Sequence, residues 1–257
     1  MTSHSLEGKT VLIAGGAKNL GGLLARDFAA QGAATVIVHY HSNTSKMEAE
    51  ATAAAIKNTG AQAILLQADL TNASAVETLF SEAIAQAGQI DIAVNTVGMV
   101  LKKPIVEISE ADYDAMFAIN TKAAFFFLQQ AGLHLAENGK ICTLATSLLG
   151  AYTPFYSTYA GAKAAVEHFT RAASKEFGYR GISVTAVAPG PMDTPFFYGQ
   201  EAPEAVAYHK TAAALSPFSK TGLTDIEDIV PLIRFLVTDG WWITGQTILA
   251  NGGYTTK

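Results

Sequence analysis

A chain of 257 residues and 27.0 kDa, 49% hydrophobic and 15% charged, is too apolar to remain disordered, and its 22 glycines follow no collagen-like triplet. The single Cys142 excludes an internal disulfide framework and a Cys-based zinc cluster, and it fits a reducing compartment. A net charge of −5 and a pI near 5.7 exclude the basic footprint of a nucleic-acid binder and the polybasic patch of a membrane-surface protein.

Residues 1–9 contain neither an apolar signal core nor an Arg-rich transit pattern. The longest uncharged stretch, 141–162, carries six Ser/Thr hydroxyls and Pro154, a poor composition for a bilayer span. A cytoplasmic protein is therefore expected. Apolar runs then alternate with helical patterns. Strands are predicted at 9–14, 35–39, 63–67, 90–94, 140–145, 182–188 and 246–250. Between them, Leu20, Leu23, Leu24 and Phe28 recur at helical spacing, 48–58 is Ala-rich, and Val76, Leu79, Phe80 and Ile84 share one face. One long helix is predicted over 111–136 and another over 159–179. A final stripe is formed by Ile226, Ile229, Val230, Ile233, Leu236 and Val237. This alternation predicts an α/β fold: one doubly wound domain over 1–257, with a seven-stranded parallel sheet covered by helices on both faces. Residues 191–223, rich in Pro, Tyr and Phe, are expected to form a lid over a substrate.

The first strand runs into Gly15-Gly16-Ala17-Lys18-Asn19-Leu20-Gly21-Gly22, and a helix follows. Such a turn lets backbone approach a pyrophosphate at a helix N-terminus. A carboxylate for a ribose hydroxyl belongs at the end of the second strand, but that segment reads His39-Tyr40-His41-Ser42. With Lys18 in the turn, this favours a 2′-phosphate, hence NADP(H) over NAD(H). His39 and His41 share a strand face, but no Cys or carboxylate lies close in sequence to complete a metal set, so no metal is expected. They are read as polar contacts near the adenosine.

Tyr159 and Lys163 stand one helical turn apart. A lysine charge ~6 Å from the phenol, at an effective dielectric of ~20, gives roughly 2.8 kcal/mol, about two pKa units of acidification. A phenol so tuned can protonate a ketone or deprotonate an alcohol. Thr143-Leu-Ala-Thr146-Ser147 ends the fifth strand, at the sheet edge where ligands bind in open α/β folds.

Together these motifs resemble the short-chain dehydrogenase/reductase family over about residues 8–253, with a Rossmann-type fold. The resemblance implies Ser147, Tyr159, Lys163 and Asn120 as the catalytic set, with Asn120 holding a water of a proton relay. Thr146 is the alternative to Ser147, because the segment from Ser147 to Tyr159 is one residue shorter than is usual. For the cofactor the resemblance implies Gly15, Lys18, Asn19, Leu20 and Gly21 in the turn. It adds Asp69 and Leu70 at the adenine, Asn95, Val97 and Gly98 at the ribose, and Pro189, Gly190 and Thr194 at the nicotinamide amide, with Tyr159 and Lys163 also touching the nicotinamide end. Asn19 stands where the middle glycine is usual, and asparagine tolerates left-handed backbone. Asn251-Gly-Gly253 resembles the family's C-terminal motif. The implied activity is NADPH-dependent carbonyl reduction, with a 3-oxoacyl-carrier-protein reductase or an inactive dinucleotide-binding regulator as alternatives. A homotetramer is implied, with 125–127 in a helix that joins a subunit interface. Phe196, Phe197, Tyr198, Tyr208 and Phe218, with Leu148, Leu149, Tyr152, Phe155 and Tyr156, are read as an apolar substrate pocket.

Overall fold

The computed structural model describes residues 4–151 and 153–256. Seven strands form one sheet: β1 (Thr10–Ala14), β2 (Thr35–Tyr40), β3 (Gln62–Gln67), β4 (Ile92–Asn95), β5 (Lys140–Leu144), β6 (Ser183–Pro189) and β7 (Thr247–Ala250). All neighbours pair in parallel, in the order β3-β2-β1-β4-β5-β6-β7. Every residue of β1, β2, β4, β5 and β6 is buried, as strands covered on both faces must be.

The helices are α1 (Asn19–Ala30), α2 (Lys46–Lys57), α3 (Ala73–Ala87), α4 (Glu110–Phe117), α5 (Ala123–His134), α6 (Ser157–Glu176), α7 (Pro195–Tyr198), α8 (Pro203–Ala212) and α9 (Ile226–Leu236). On one face Leu24 and Phe28 of α1 pack with Ile229 and Ile233 of α9 against Val11 and Ile13. On the other, Phe80 of α3 and Phe127 of α5 meet edge to face at 5.3 Å over Leu12 and Ile37. Both phenylalanines are fully buried, so truncating either to alanine removes about 3–5 kcal/mol.

Two expectations change in detail. The helix expected over 111–136 is α4 and α5 joined by a π-type turn, Ala118–Lys122, whose wider winding carries Asn120. The lid region is not one loop: it folds into α7, α8 and a 3-10 turn, Ser216–Phe218. Its base is pinned by a parallel bridge between Met192 and Thr224.

Strand order reverses beside β1, where the chain moves outward to β2 and β3 and then returns to β4 on the other side. Such a switch point leaves a crevice at the carboxyl ends of β1 and β4. The register sets Ala14 beside Asn95 there.

Candidate active site

A cavity of about 930 Å³ opens at this crevice. Gly15, Lys18, Asn19, Leu20 and Gly21 line one end, Thr96, Val97 and Gly98 the floor, and Thr146, Ser147, Tyr159 and Lys163 the middle. Pro189, Gly190 and Thr194 line the far wall.

The glycine turn is built for close backbone approach. Gly15 has φ +77° and Asn19 φ +49°, so asparagine does take the left-handed conformation. A side chain on Gly21 would place its Cβ 2.2 Å from the Gly15 carbonyl oxygen. The Thr96 hydroxyl donates to the Ala14 carbonyl at 2.8 Å and closes the turn from the β4 side. At the N-terminus of α1, Lys18 makes no capping hydrogen bond and the first turn holds no acid. Those amides therefore suit an anionic group. The cradle fits a dinucleotide.

His39 departs from its expected role. Its Nδ1 accepts from the Gly15 N–H at 3.1 Å and its Nε2–H donates to the Ala68 carbonyl at 2.9 Å. Burial lowers its pKa to about 4, so the ring is neutral. With both nitrogens bound to backbone it shapes the turn and offers no hydrogen bond to a ligand. Tyr40, His41 and Leu70 line the cavity, while Ser42 does not and instead pairs with Thr44. Lys18 forms an ion pair with Glu48 at 3.1 Å, both half-exposed.

Asp69 and Asn95 also lie off the cavity wall. Burial raises the Asp69 carboxyl pKa, but hydrogen bonds from the Thr71 hydroxyl and amide outweigh this and leave it below its ordinary value. Asn95 is buried and accepts from the Val97 N–H at 2.9 Å. Each organises a loop that lines the cavity, so neither side chain contacts it directly. Cys142 is fully buried in β5, and burial pushes its thiol up to about 12. Among the described residues, no three His, Cys, Asp or Glu side chains gather as a metal site, and no helix is long and apolar enough to cross a membrane.

The middle of the cavity differs from the electrostatic expectation. Tyr159 is buried, and burial pushes its phenol above the ordinary value; a hydrogen bond with the Thr146 hydroxyl opposes that rise. Lys163 is also buried, which holds its pKa down to about 8. Its Nζ donates to the Leu144 carbonyl at 2.8 Å and to the Val97 carbonyl at 3.4 Å. Burial of both groups therefore works against the acidification expected of Tyr159 in the chain alone. Thr146, Ser147 and Tyr159 all line the cavity. Ser147 lines the cavity, its hydroxyl without a hydrogen bond among the described residues, while its carbonyl accepts from the Thr255 hydroxyl at 3.1 Å.

Asn120 is fully buried and does not line the cavity. Its amide donates to the Met99 and Met116 carbonyls, and its Oδ1 accepts from the Met99 N–H at 3.2 Å. It clamps the loop after β4 around Gly98, where an added Cβ would lie 2.9 Å from Asn120 Oδ1 and 3.1 Å from Lys163 Nζ. Thr121 ties the π-type turn to α6 by donating to the Ala162 carbonyl at 2.8 Å.

Of the expected aromatic pocket, Leu148, Tyr156, Phe196 and Phe197 line the cavity. Leu149, Phe155, Tyr198, Tyr208 and Phe218 do not, and Phe218 is 87% exposed. Tyr152 lies outside the described residues. Sequence reasoning missed Glu201, His209 as a wall residue, and Tyr254, which reach the cavity from the lid and the C-terminal turn. The positive-φ glycines Gly252 and Gly253 were the available signal for Tyr254, since a tight turn there returns the chain toward the site.

The family model described as Enoyl-(Acyl carrier protein) reductase matches residues 15–255. A Burkholderia cenocepacia protein described as a dehydrogenase and solved with bound NADP is 70% identical, with a TM-score of 0.99 over 100% of this chain and 97% of its own. A short-chain dehydrogenase from Oenococcus oeni is 51% identical, with a TM-score of 0.78 over 100% of both chains. Hydroxynaphthalene reductase-like protein Arp2 of Metarhizium brunneum is 35% identical over 99% of this chain and 98% of its own. A glycine turn at the sheet switch point, a buried Tyr159–Lys163 pair and these full-length matches agree: the chain belongs to the short-chain dehydrogenase/reductase family, oxidoreductases that use a nicotinamide dinucleotide.

Proposed function

We propose that the protein is an NADPH-dependent carbonyl reductase, reversible as an alcohol dehydrogenase, acting on hydrophobic ketones or secondary alcohols. The observation that carries this reading is a buried Tyr159, one helical turn from buried Lys163 and sharing a cavity with Thr146 and Ser147, the other end of that cavity being a phosphate-suited glycine turn. Three features support NADP(H): NADP bound to the Burkholderia relative, no carboxylate at the end of β2, and Lys18 on the cavity wall.

When bound, a reduced nicotinamide supplies the hydride for the carbonyl carbon. Tyr159 donates its phenolic proton to the carbonyl oxygen as the alkoxide forms. Thr146 is the favoured hydroxyl to hold that oxygen, with Ser147 as the neighbour on the same wall. Lys163 stabilises the phenolate left on Tyr159. Asn120 fixes the Met99 loop against which Lys163 rests. Leu148, Phe196 and Phe197 give the substrate an apolar wall.

A carrier-protein substrate is less well supported. It needs a basic docking patch, but Lys102, Lys103, Arg171 and Arg180 are each paired with an acid: Glu201, Asp112, Glu167 and Glu137. An inactive regulator would have no use for the Thr146–Tyr159–Lys163 set. The test is NADPH oxidation over a panel of aryl and alkyl ketones beside a 3-oxoacyl thioester. Turnover of the ketones alone supports the proposal; turnover of the thioester alone moves the assignment to fatty-acid synthesis, and none at all revives the regulator. A homotetramer is proposed on the family resemblance and on Phe125, half-exposed and edge-on to Phe169 across α5 and α6. Light scattering that gives a monomer mass refutes it.

A further inference from the structure

The lid carries a buried ion pair for which hydride and proton transfer have no use. Glu201 lies between α7 and α8, its side chain wholly excluded from solvent. Its Oε2 pairs with the Lys102 ammonium and its Oε1 accepts from the Tyr156 hydroxyl. The adjacent Gln200 accepts from the Lys102 backbone N–H at 3.2 Å through its Oε1. Lys102 belongs to the segment after β4, and Tyr156 stands at the N-cap of α6, three residues before Tyr159. This receiving surface is itself held in place. The Lys103 N–H donates to the Phe155 carbonyl at 2.8 Å, and the Lys103 ammonium pairs with Asp112 of α4 at 2.7 Å.

The two ends of the lid are anchored elsewhere. The Met192–Thr224 bridge holds its base. At α8, His209 places Nε2 3.8 Å from Glu201 Oε1 and is bonded through Nδ1 to the Tyr254 hydroxyl at 3.0 Å. Just beyond α8, the Leu215 N–H donates to the Gly252 carbonyl at 2.9 Å. Between these anchors lies α7, which bears Phe196 and Phe197, and Gln200 and Glu201 tie it to the segment after β4 and to the start of α6.

We propose that Glu201 is a positioning residue whose ion pair with Lys102 fastens the lid and seats Phe196 beside Tyr159. The Tyr159 ring lies 6.4 Å from that of Tyr156 and 6.5 Å from that of Phe196, so each side of the fastener carries an aromatic ring against the proton donor. A carboxylate excluded from solvent is tolerable only while a cation balances it and hydrogen bonds satisfy it, and Lys102 and Tyr156 do both. Desolvation of the two ions offsets much of their attraction, so the pair fixes one closed arrangement without making its release prohibitive. The effect on turnover rests on the carbonyl-reductase reading; the fastening of α7 does not.

The experiment is a charge cycle: wild type, Lys102→Met, Glu201→Gln and the double variant. Each is read by steady-state NADPH oxidation with an aryl ketone and by hydrogen–deuterium exchange of residues 195–201 in the free protein. Lys102→Met strands the carboxylate in the interior, so α7 lifts to return it to water. With substrate bound by the closed lid, KM rises as the closed population falls, while kcat at saturation holds. The expected result is KM raised about tenfold or more, kcat within about threefold, and exchange of 195–201 about tenfold or more faster with β1 unchanged. Glu201→Gln leaves Lys102, which is 24% exposed, a path to water, and the same changes are expected at about two- to fivefold. In the double variant an amide oxygen at 201 still accepts from Tyr156 and no charge is stranded, so both readouts are expected to return to within about threefold of wild type. Melting curves and NADPH fluorescence titrations check folding; should Lys102→Met not fold, Glu201→Gln against the double variant decides. A loss of kcat with KM unchanged overturns the inference, as does a double variant as impaired as Lys102→Met, or exchange that no substitution alters. No turnover of any ketone removes the reading beneath, and the exchange cycle then decides the fastener by itself.

Discussion

Replacing Thr146 with valine keeps the shape of the side chain and removes one hydroxyl, and its consequences can be sized from the structure. That hydroxyl acts to lower the Tyr159 pKa against the effect of burial, and it accepts from the Leu148 N–H at 3.3 Å. Loss of the second contact costs about 1 kcal/mol of stability, as for other capping hydroxyls. Loss of the first matters more. Both residues are buried, and a donor aimed at a developing oxyanion in such a site is worth about 10²–10³ in kcat, roughly 2.7–4 kcal/mol. Ser147→Ala removes a hydroxyl with no hydrogen bond among the described residues, while its carbonyl contact with Thr255 survives. Steady-state NADPH oxidation, with a thermal melt of each protein, is the assay. Thr146→Val is expected to lose kcat by two to three orders of magnitude, and Ser147→Ala by less than about tenfold. The reverse order would return Ser147 to the catalytic role and refute the preference for Thr146.

The phenol of Tyr159, raised by burial, is expected to titrate above the ordinary range in the free protein and to fall when NADP⁺ adds positive charge beside it. Ultraviolet difference titration against Tyr159→Phe reads this; equal titration with and without NADP⁺ would sink it, and Tyr159→Phe should itself abolish turnover. Lys18→Glu should raise KM for NADPH far more than for NADH, while Glu48→Ala, which releases Lys18 from its ion pair, should lower it. Equal shifts for both dinucleotides would mean that Lys18 does not read the phosphate. Lys163 has a folded pKa of about 8 against 10.5 when unfolded, so the unfolded chain binds more protons between those values. The free protein should therefore gain stability as pH rises from about 8 toward 10.5. Lys163→Met should be more stable at pH 7, by up to about 3 kcal/mol less the lost hydrogen bonds, and should lack that share of the rise. Denaturant melts across this range show the opposite slope if the sign is wrong.

Much of the architecture was legible because each strand is a near-continuous apolar run and each helix a stripe. The Val11–Ala14 and Val36–Val38 segments bury every residue, and period alone locates them. The π-type turn was not legible: Ala118–Lys122 has ordinary helical residues, and its extra width comes from Asn120 reaching the Met99 and Met116 carbonyls. At the site, Tyr159, Lys163 and the glycine turn could be read from spacing. The choice between Thr146 and Ser147 could not, since the two are adjacent and both line the cavity with Tyr159. His39 was misread for a related reason. Its position at the cavity edge was correct, but both ring nitrogens are consumed by backbone 24 and 29 residues away in sequence, a closure that local pattern does not contain. The Glu201 cluster draws on Lys102, Tyr156 and His209, from three separate segments, and no window along the chain holds it.

The π-type turn absorbs one supernumerary residue within a single wide coil. Deleting a residue within 118–122 would restore regular winding and leave α4 and α5 close to their present relative phase, because the wide coil had already taken up the surplus rotation. Met116 and Phe127 would keep their seats. The bulge that carries Asn120 to the Met99 and Met116 carbonyls would vanish, so a shortened chain could fold with a sound interior and an unclamped site.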